Sequence, residues 1–219
     1  MSLKTTPTFE SNCRQCPRLA DFLDQVADSH PDYHARPVPP FGDATARLLI
    51  VGLAPGMHGA NATGRPFTGD FAGILLYQTL YDFGYASQPQ STARDDGLIL
   101  RGVRITNAVK CLPPQNKPQL DEVKNCNAFL RAELHNLPRQ AVVLALGKLA
   151  HDAVLRALQT KLSAFPFGHA RVHRPHAELT LVDSYHCSRY NTQTKRLTPA
   201  MFARVFQVVG AELERDGPH

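Results

Sequence analysis

The 219-residue sequence has no apolar run long enough to cross a membrane as a helix, although 43% of its residues are hydrophobic. A helical membrane protein is thereby excluded, and a soluble domain with an ample core is expected. Residues 1–9 lack the apolar stretch of a secretory signal, so a cytoplasmic location is expected. Internal repeats and low-complexity tracts are absent, which excludes solenoids and biased linkers. Neither the dinucleotide-binding fingerprint nor the Walker phosphate loop is matched. Charge of one sign is scarce too: 24 basic against 19 acidic residues leave +5, a modest bias compatible with a nucleic-acid partner. Cysteine is limited to five residues, and in a reducing compartment these suit metal ligation or buried thiols better than disulfides.

Apolar strands alternate with amphipathic helices along most of the chain. Strands are predicted over 48–52, 103–109, 142–146 and 179–182, and helices near 71–83, 119–134, 148–158 and 199–215. This alternation predicts an α/β domain, a mainly parallel sheet with helices on both faces. Asp70 and Thr198-Pro199 stand as N-cap signals before the helices they precede. The proline-rich stretch 31–40 forbids regular helix and reads as a rigid extended connector.

Three strand ends carry the chemistry. The first strand empties into Gly52-Leu53-Ala54-Pro55-Gly56, followed by Gly64-Arg65-Pro66-Phe67-Thr68-Gly69-Asp70. Glycines there permit tight turns and close approach of a ligand to the backbone, Phe67 offers a flat apolar face, and Asp70 a carboxylate. The second is Thr106-Asn107-Ala108-Val109-Lys110-Cys111, where Asn107 can present a donor and an acceptor to a planar amide or cap a turn. The third is Ser184-Tyr185-His186-Cys187-Ser188-Arg189-Tyr190-Asn191, with a histidine in a loop dense in hydrogen-bonding groups. The nearby basic residues Arg171, His173, Arg174 and His176 read equally as an extension of a basic surface and as a solvated face.

Cys13 and Cys16 form a Cys-x2-Cys pair, and Cys111 and Cys126 supply two further thiols. Two such pairs complete four ligands for zinc or an iron–sulfur cluster, and the spacing suits both. The alternative for Cys126 is core packing, on a helical face with Leu120, Val123, Leu130 and Leu134.

Taken together, these motifs resemble the uracil-DNA glycosylase superfamily, most closely its family 5, the UDGb type, over about residues 13–206. The resemblance implies a single three-layer α/β/α domain, residues 1–219, around a central four-stranded mainly parallel sheet, with an N-terminal cluster-binding segment near 10–30. It implies a [4Fe–4S] cluster on Cys13, Cys16, Cys111 and Cys126, leaving Cys187 as the thiol that is not a ligand. It further implies excision of uracil, and of hypoxanthine and xanthine, from DNA. Separately, a monomer is expected, and with no membrane-spanning run no membrane partner is expected. Other superfamily members usually carry Asp, Asn or Glu where this chain has Ala54, an alanine that family 5 shares. Ala62 stands where the family pattern has arginine.

The roles expected on this resemblance are residue-specific. Asp70 and His186 are the expected catalytic pair, Asp70 orienting water or supporting the sugar cation and His186 donating to the departing base. Gly52, Ala54, Pro55, Gly56, Phe67 and Asn107 are the expected base-binding residues. Ser184, Tyr185, Cys187, Ser188, Arg189 and Asn191 are expected to face the duplex. The alternatives are a family 4 or uracil-trapping relative, and a non-catalytic metal-stabilised nucleic-acid binder.

Overall fold

A computed structural model describes residues 9–215; segment 1–8, most of the stretch read for a signal, lies outside them. The sheet has six strands: β1 (Phe41–Gly42), β2 (Leu48–Gly52), β3 (Val103–Asn107), β4 (Ala141–Leu146), β5 (Val172–His176) and β6 (Leu179–Ser184). Their spatial order is β1-β3-β2-β4-β6-β5. The four central strands are parallel, as expected, while β1 and β5 add an antiparallel strand at each edge.

The helices are α1 (Pro17–Ser29), α2 (Ala60–Thr63), α3 (Phe71–Asp82), α4 (Leu120–His135), α5 (Lys148–Ala157), α6 (Arg189–Gln193) and α7 (Pro199–Arg215). Strand β2 is buried along its whole length, and alternate residues enter opposite layers. Leu48 and Ile50 join Leu76, Leu80, Phe202 and Phe206 of α3 and α7. Leu49 and Val51 join Leu130, Ala150 and Val154 of α4 and α5. A third apolar cluster, with Leu19, Leu23, Val109, Leu112 and Phe129, fastens α1 beside the end of β3 and α4.

Two local expectations are corrected. The stretch around His173 is an edge strand, and His173 is buried; Pro175 is accommodated because an edge strand leaves ladder positions unpaired. Leu120 opens α4 and is 57% exposed, so it does not share the buried face of Cys126. The connector 31–40 is extended and tied down by Val38 N–H donating to Lys110 O at 2.7 Å.

Because the central strands run parallel, Gly52, Asn107, Leu146 and Ser184 end along one edge of the sheet: Gly52 is paired with Asn107 and Leu146 with Ser184. The ladder continues past β2, with Ala108 and Val109 N–H donating to Gly52 and Leu53 O at 2.9 Å. All three motif loops therefore converge on this edge. Among the described residues no helix is long and apolar enough to cross a membrane.

Candidate active site

A cavity of about 420 Å³ opens at that edge, lined by Ala54, Gly56, Phe67, Asp70, Asn107, His186, Ser188 and Arg189 among others. Its floor is made by close packing. A Cβ on Gly52 would lie 2.4 Å from Asn107 Oδ1 and 2.6 Å from Phe67 Cζ, so only glycine lets these two side chains meet over the strand end. Phe67 is held in the left-handed region, at φ 58, which a bulky residue adopts only under tertiary constraint. The buried Tyr77 hydroxyl supplies part of that constraint by donating to Pro66 O at 2.7 Å. Burial pushes that hydroxyl up to about 12, so it stays a donor.

His186 stacks on Phe67, with ring centroids 6.0 Å apart and planes 30° apart. No described residue hydrogen-bonds its ring, which borders the cavity. Burial against apolar neighbours lowers its pKa to about 4, so the imidazole is neutral at pH 7 and carries one N–H. Asn191 Nδ2 donates to His186 O at 2.8 Å and fixes the loop from behind. Asn107 is buried, and its Oδ1 meets no donor among the described residues.

Asp70 does not cap α3 with its side chain, contrary to the expectation from its position. Its Oδ2 accepts instead from Ala60 N–H at 3.1 Å. Gly56 and Gly59 make room for this, since Cβ atoms there would lie 2.4 and 1.9 Å from Asp70 Oδ1. Burial raises the Asp70 pKa above the ordinary carboxylate value, against the opposing pull of that amide.

Several expected placements change. Ser184 and Cys187 are fully buried, so neither side chain is presented at the surface where they were expected; Ser184 Oγ donates to Tyr185 O at 2.9 Å. The Tyr185 ring is sandwiched, with His169 stacked 4.8 Å away and the Arg196 guanidinium 4.8 Å from its centroid. Gly52 and Pro55 are buried and do not line the cavity. Ser188 caps α6, Arg189 covers Phe71 at 4.9 Å, and Asn191 supports the loop, all at or near the mouth. Leu53, Phe71, Ala72 and Asn116 also line the cavity and were missed. Asn116 follows Gln115 in the left-handed region, for which the Pro-Pro-Gln-Asn sequence was the available signal. Tyr190, 70% exposed in the first turn of α6, is a surface residue to which the sequence reading assigns no role.

The four expected ligand thiols line one small cavity between α1, the segment after β3, and α4. Two sulfurs accept hydrogen bonds, Cys126 from Lys110 N–H at 3.3 Å and Cys16 from Asn125 Nδ2 at 3.6 Å. Burial first, then the neighbouring thiols, raises Cys111 above the usual thiol range; burial raises Cys126 to about 11, against the pull of the Lys110 amide. Such a nest favours neutral thiols until a cation enters and stabilises thiolates. The residues therefore fit a metal or cluster. A different trio, His151, His173 and Asp183, brings ligand atoms within 4.8 Å. Its groups are already engaged: His151 with Asp183 Oδ1 at 2.7 Å and Phe165 O at 2.8 Å, and His173 with Asp183 Oδ2 at 2.9 Å. This buried knot ties loop 165–170 to β6 directly before His186.

A family model described as the uracil DNA glycosylase superfamily matches residues 39–210. A protein of Thermus thermophilus named type-5 uracil-DNA glycosylase is 47% identical over 198 residues, covering 88% of this chain and 90% of that protein. A protein of the same name from Pyrobaculum aerophilum is 44% identical over 205 residues, covering 92% and 89%. A type-4 uracil-DNA glycosylase from P. aerophilum is 32% identical over 161 residues, covering 72% and 67%.

Proposed function

The chain belongs to the uracil-DNA glycosylase superfamily, and from that premise we propose that it hydrolyses the N-glycosidic bond of uracil in DNA, and of hypoxanthine and xanthine, at the cavity above β2, β3 and β6. The observation that carries the reading is the convergence of Phe67, Asp70, Asn107 and His186 on one cavity. The target base leaves the duplex at a cost of a few kcal/mol and enters against Phe67. Stacking on that ring returns about 1–3 kcal/mol. Asn107 offers an acceptor and a donor to the adjacent N–H and C=O of a lactam edge. Uracil presents that edge, and so do hypoxanthine and xanthine, which is the chemical basis for extending the substrate range.

Bond cleavage places negative charge on the departing base and positive charge on the sugar. The His186 N–H meets the first, and being neutral it delivers a donor without carrying a proton that must be lost. The Asp70 carboxylate, beside Gly56 and Gly59, supports the second and orients the attacking water. Tyr190 and Arg189, exposed at the start of α6, face the duplex in place of Ser184 and Cys187. The nest of Cys13, Cys16, Cys111 and Cys126 would hold a [4Fe–4S] cluster whose contribution is to cross-link three segments. Its four thiols on one cavity and two N–H···S contacts support this assignment. The test is a single-uracil oligonucleotide incubated with protein and then with alkali: strand scission is expected, and binding without scission would leave a nucleic-acid binder. Parallel oligonucleotides with hypoxanthine or xanthine decide the substrate range.

A further inference from the structure

A second cavity, of about 270 Å³, lies against the first and shares Leu53 and His186 with it. Its other walls come from the β4–α5 junction with Leu149, from loop 165–170 with Phe167, from Tyr185 after β6, and from Arg196 after α6. Leu149 is 54% exposed although it opens a helix whose other apolar residues are buried. Phe167 and Tyr185 present tilted rings 6.1 Å apart. Arg196 tops a column of His169, Tyr185 and guanidinium, is exposed, and has no carboxylate partner among the described residues. The other cation at this cavity, Lys148, is engaged by Asp152 at 2.6 Å.

An apolar floor, aromatic edges and an open guanidinium plane form a surface suited to a nucleobase with its phosphate, since bases stack on rings and on arginine alike. The common wall sets the two cavities one side chain apart. We propose that this second cavity holds the nucleotide adjacent to the target in the same strand, its base against Leu149 and Phe167 and its charge met by Arg196. The enzyme then engages two consecutive unpaired nucleotides. The inference rests on the glycosylase reading for the identity of the first occupant.

The test uses three single-stranded oligonucleotides: one with a single deoxyuridine, and two in which the nucleotide on its 5′ or its 3′ side is an abasic tetrahydrofuran. Binding is read by fluorescence anisotropy, and excision in single turnovers. Wild-type protein should bind one abasic-flanked probe about tenfold more weakly than the intact one, the size of one stacking contact. The double variant Leu149→Ala with Arg196→Ala alters two exposed side chains and so keeps the fold. It should bind the intact probe about tenfold more weakly and no longer distinguish the probe that wild type disfavours. Equal binding of all three probes by wild type, or equal loss by the variant on all three, overturns the proposal. Failure of wild type to excise uracil both from these probes and from the intact probe annealed to its complement would instead overturn the glycosylase reading, while the binding comparison still decides the second cavity.

Discussion

At the residue scale the site depends on two groups whose ionisation is displaced in opposite directions. Burial holds the His186 ring neutral down to about pH 4, and burial raises Asp70 above the ordinary carboxylate value. As pH falls, protonation of Asp70 above the ordinary carboxylate value removes the charge that supports the sugar cation, so excision should decline on an acid limb that belongs to Asp70 and not to His186. A single-turnover pH profile checks this, and Asp70→Asn should abolish the limb as well as slow the reaction. An inflection near 6.5 that disappears in His186→Ala would mean that His186 acts as a cation. His186→Ala should itself lower the rate by about 10²–10³-fold, the typical loss of one donor aimed at developing charge. Asp70→Asn should melt near wild type, because an amide oxygen can still accept from Ala60 N–H and the burial cost of the carboxylate is removed. The residue types at these positions were legible in the sequence. The direction of the Asp70 side chain was not, because a cap position fixes a backbone conformation while the partner, Ala60, is set by the packing of Gly56 and Gly59.

At the element scale, helix α3 is what holds the stacking ring. Its Gly73 leaves space for the preceding turn: a Cβ there would lie 1.8 Å from Phe67 O, an atom that cannot rotate away. Gly73→Ala should therefore displace the Phe67 turn, at about 1–3 kcal/mol of stability, the usual cost of overpacking. Excision should slow with it. Gly210→Ala is the matched control, since nothing lies within 4 Å of its added Cβ in α7, and it should gain up to about 1 kcal/mol from helix propensity. Thermal melts and single-turnover rates on both variants separate the two effects; a Gly73→Ala protein with wild-type melting and rate would detach α3 from the site. Helices α3, α4, α5 and α7 and the four parallel strands were read within a few residues from the sequence. The edge strands were not: β1 has two residues, and β5 contains Pro175, so neither carries an apolar alternation.

At the scale of the whole molecule the α/β layers do not by themselves fasten α1. That helix is joined to α4 and the segment after β3 by the third apolar cluster, and to α4 by the Arg18–Glu122 ion pair at 2.7 Å, both beside the four-cysteine nest. The spacing showed the Cys-x2-Cys pair, and the family resemblance joined Cys111 and Cys126 to it; core packing of Cys126 stayed open in the sequence because the meeting depends on how the end of β3 and α4 cross, and the structure brings all four thiols to one cavity. If the nest holds the proposed cluster, losing one ligand should release α1 while leaving the layered core folded. Cys111→Ala is the informative substitution, and Cys187→Ala, also buried but among the residues of the α7 layer, is its control. Anaerobically purified wild type and Cys187→Ala should be brown with about four irons per chain. Cys111→Ala should be pale, melt at a lower temperature and be cut by protease within residues 10–30. A colourless wild-type protein containing one zinc per chain would replace the cluster with a single ion. Undiminished iron in Cys111→Ala would remove Cys111 from the ligand set.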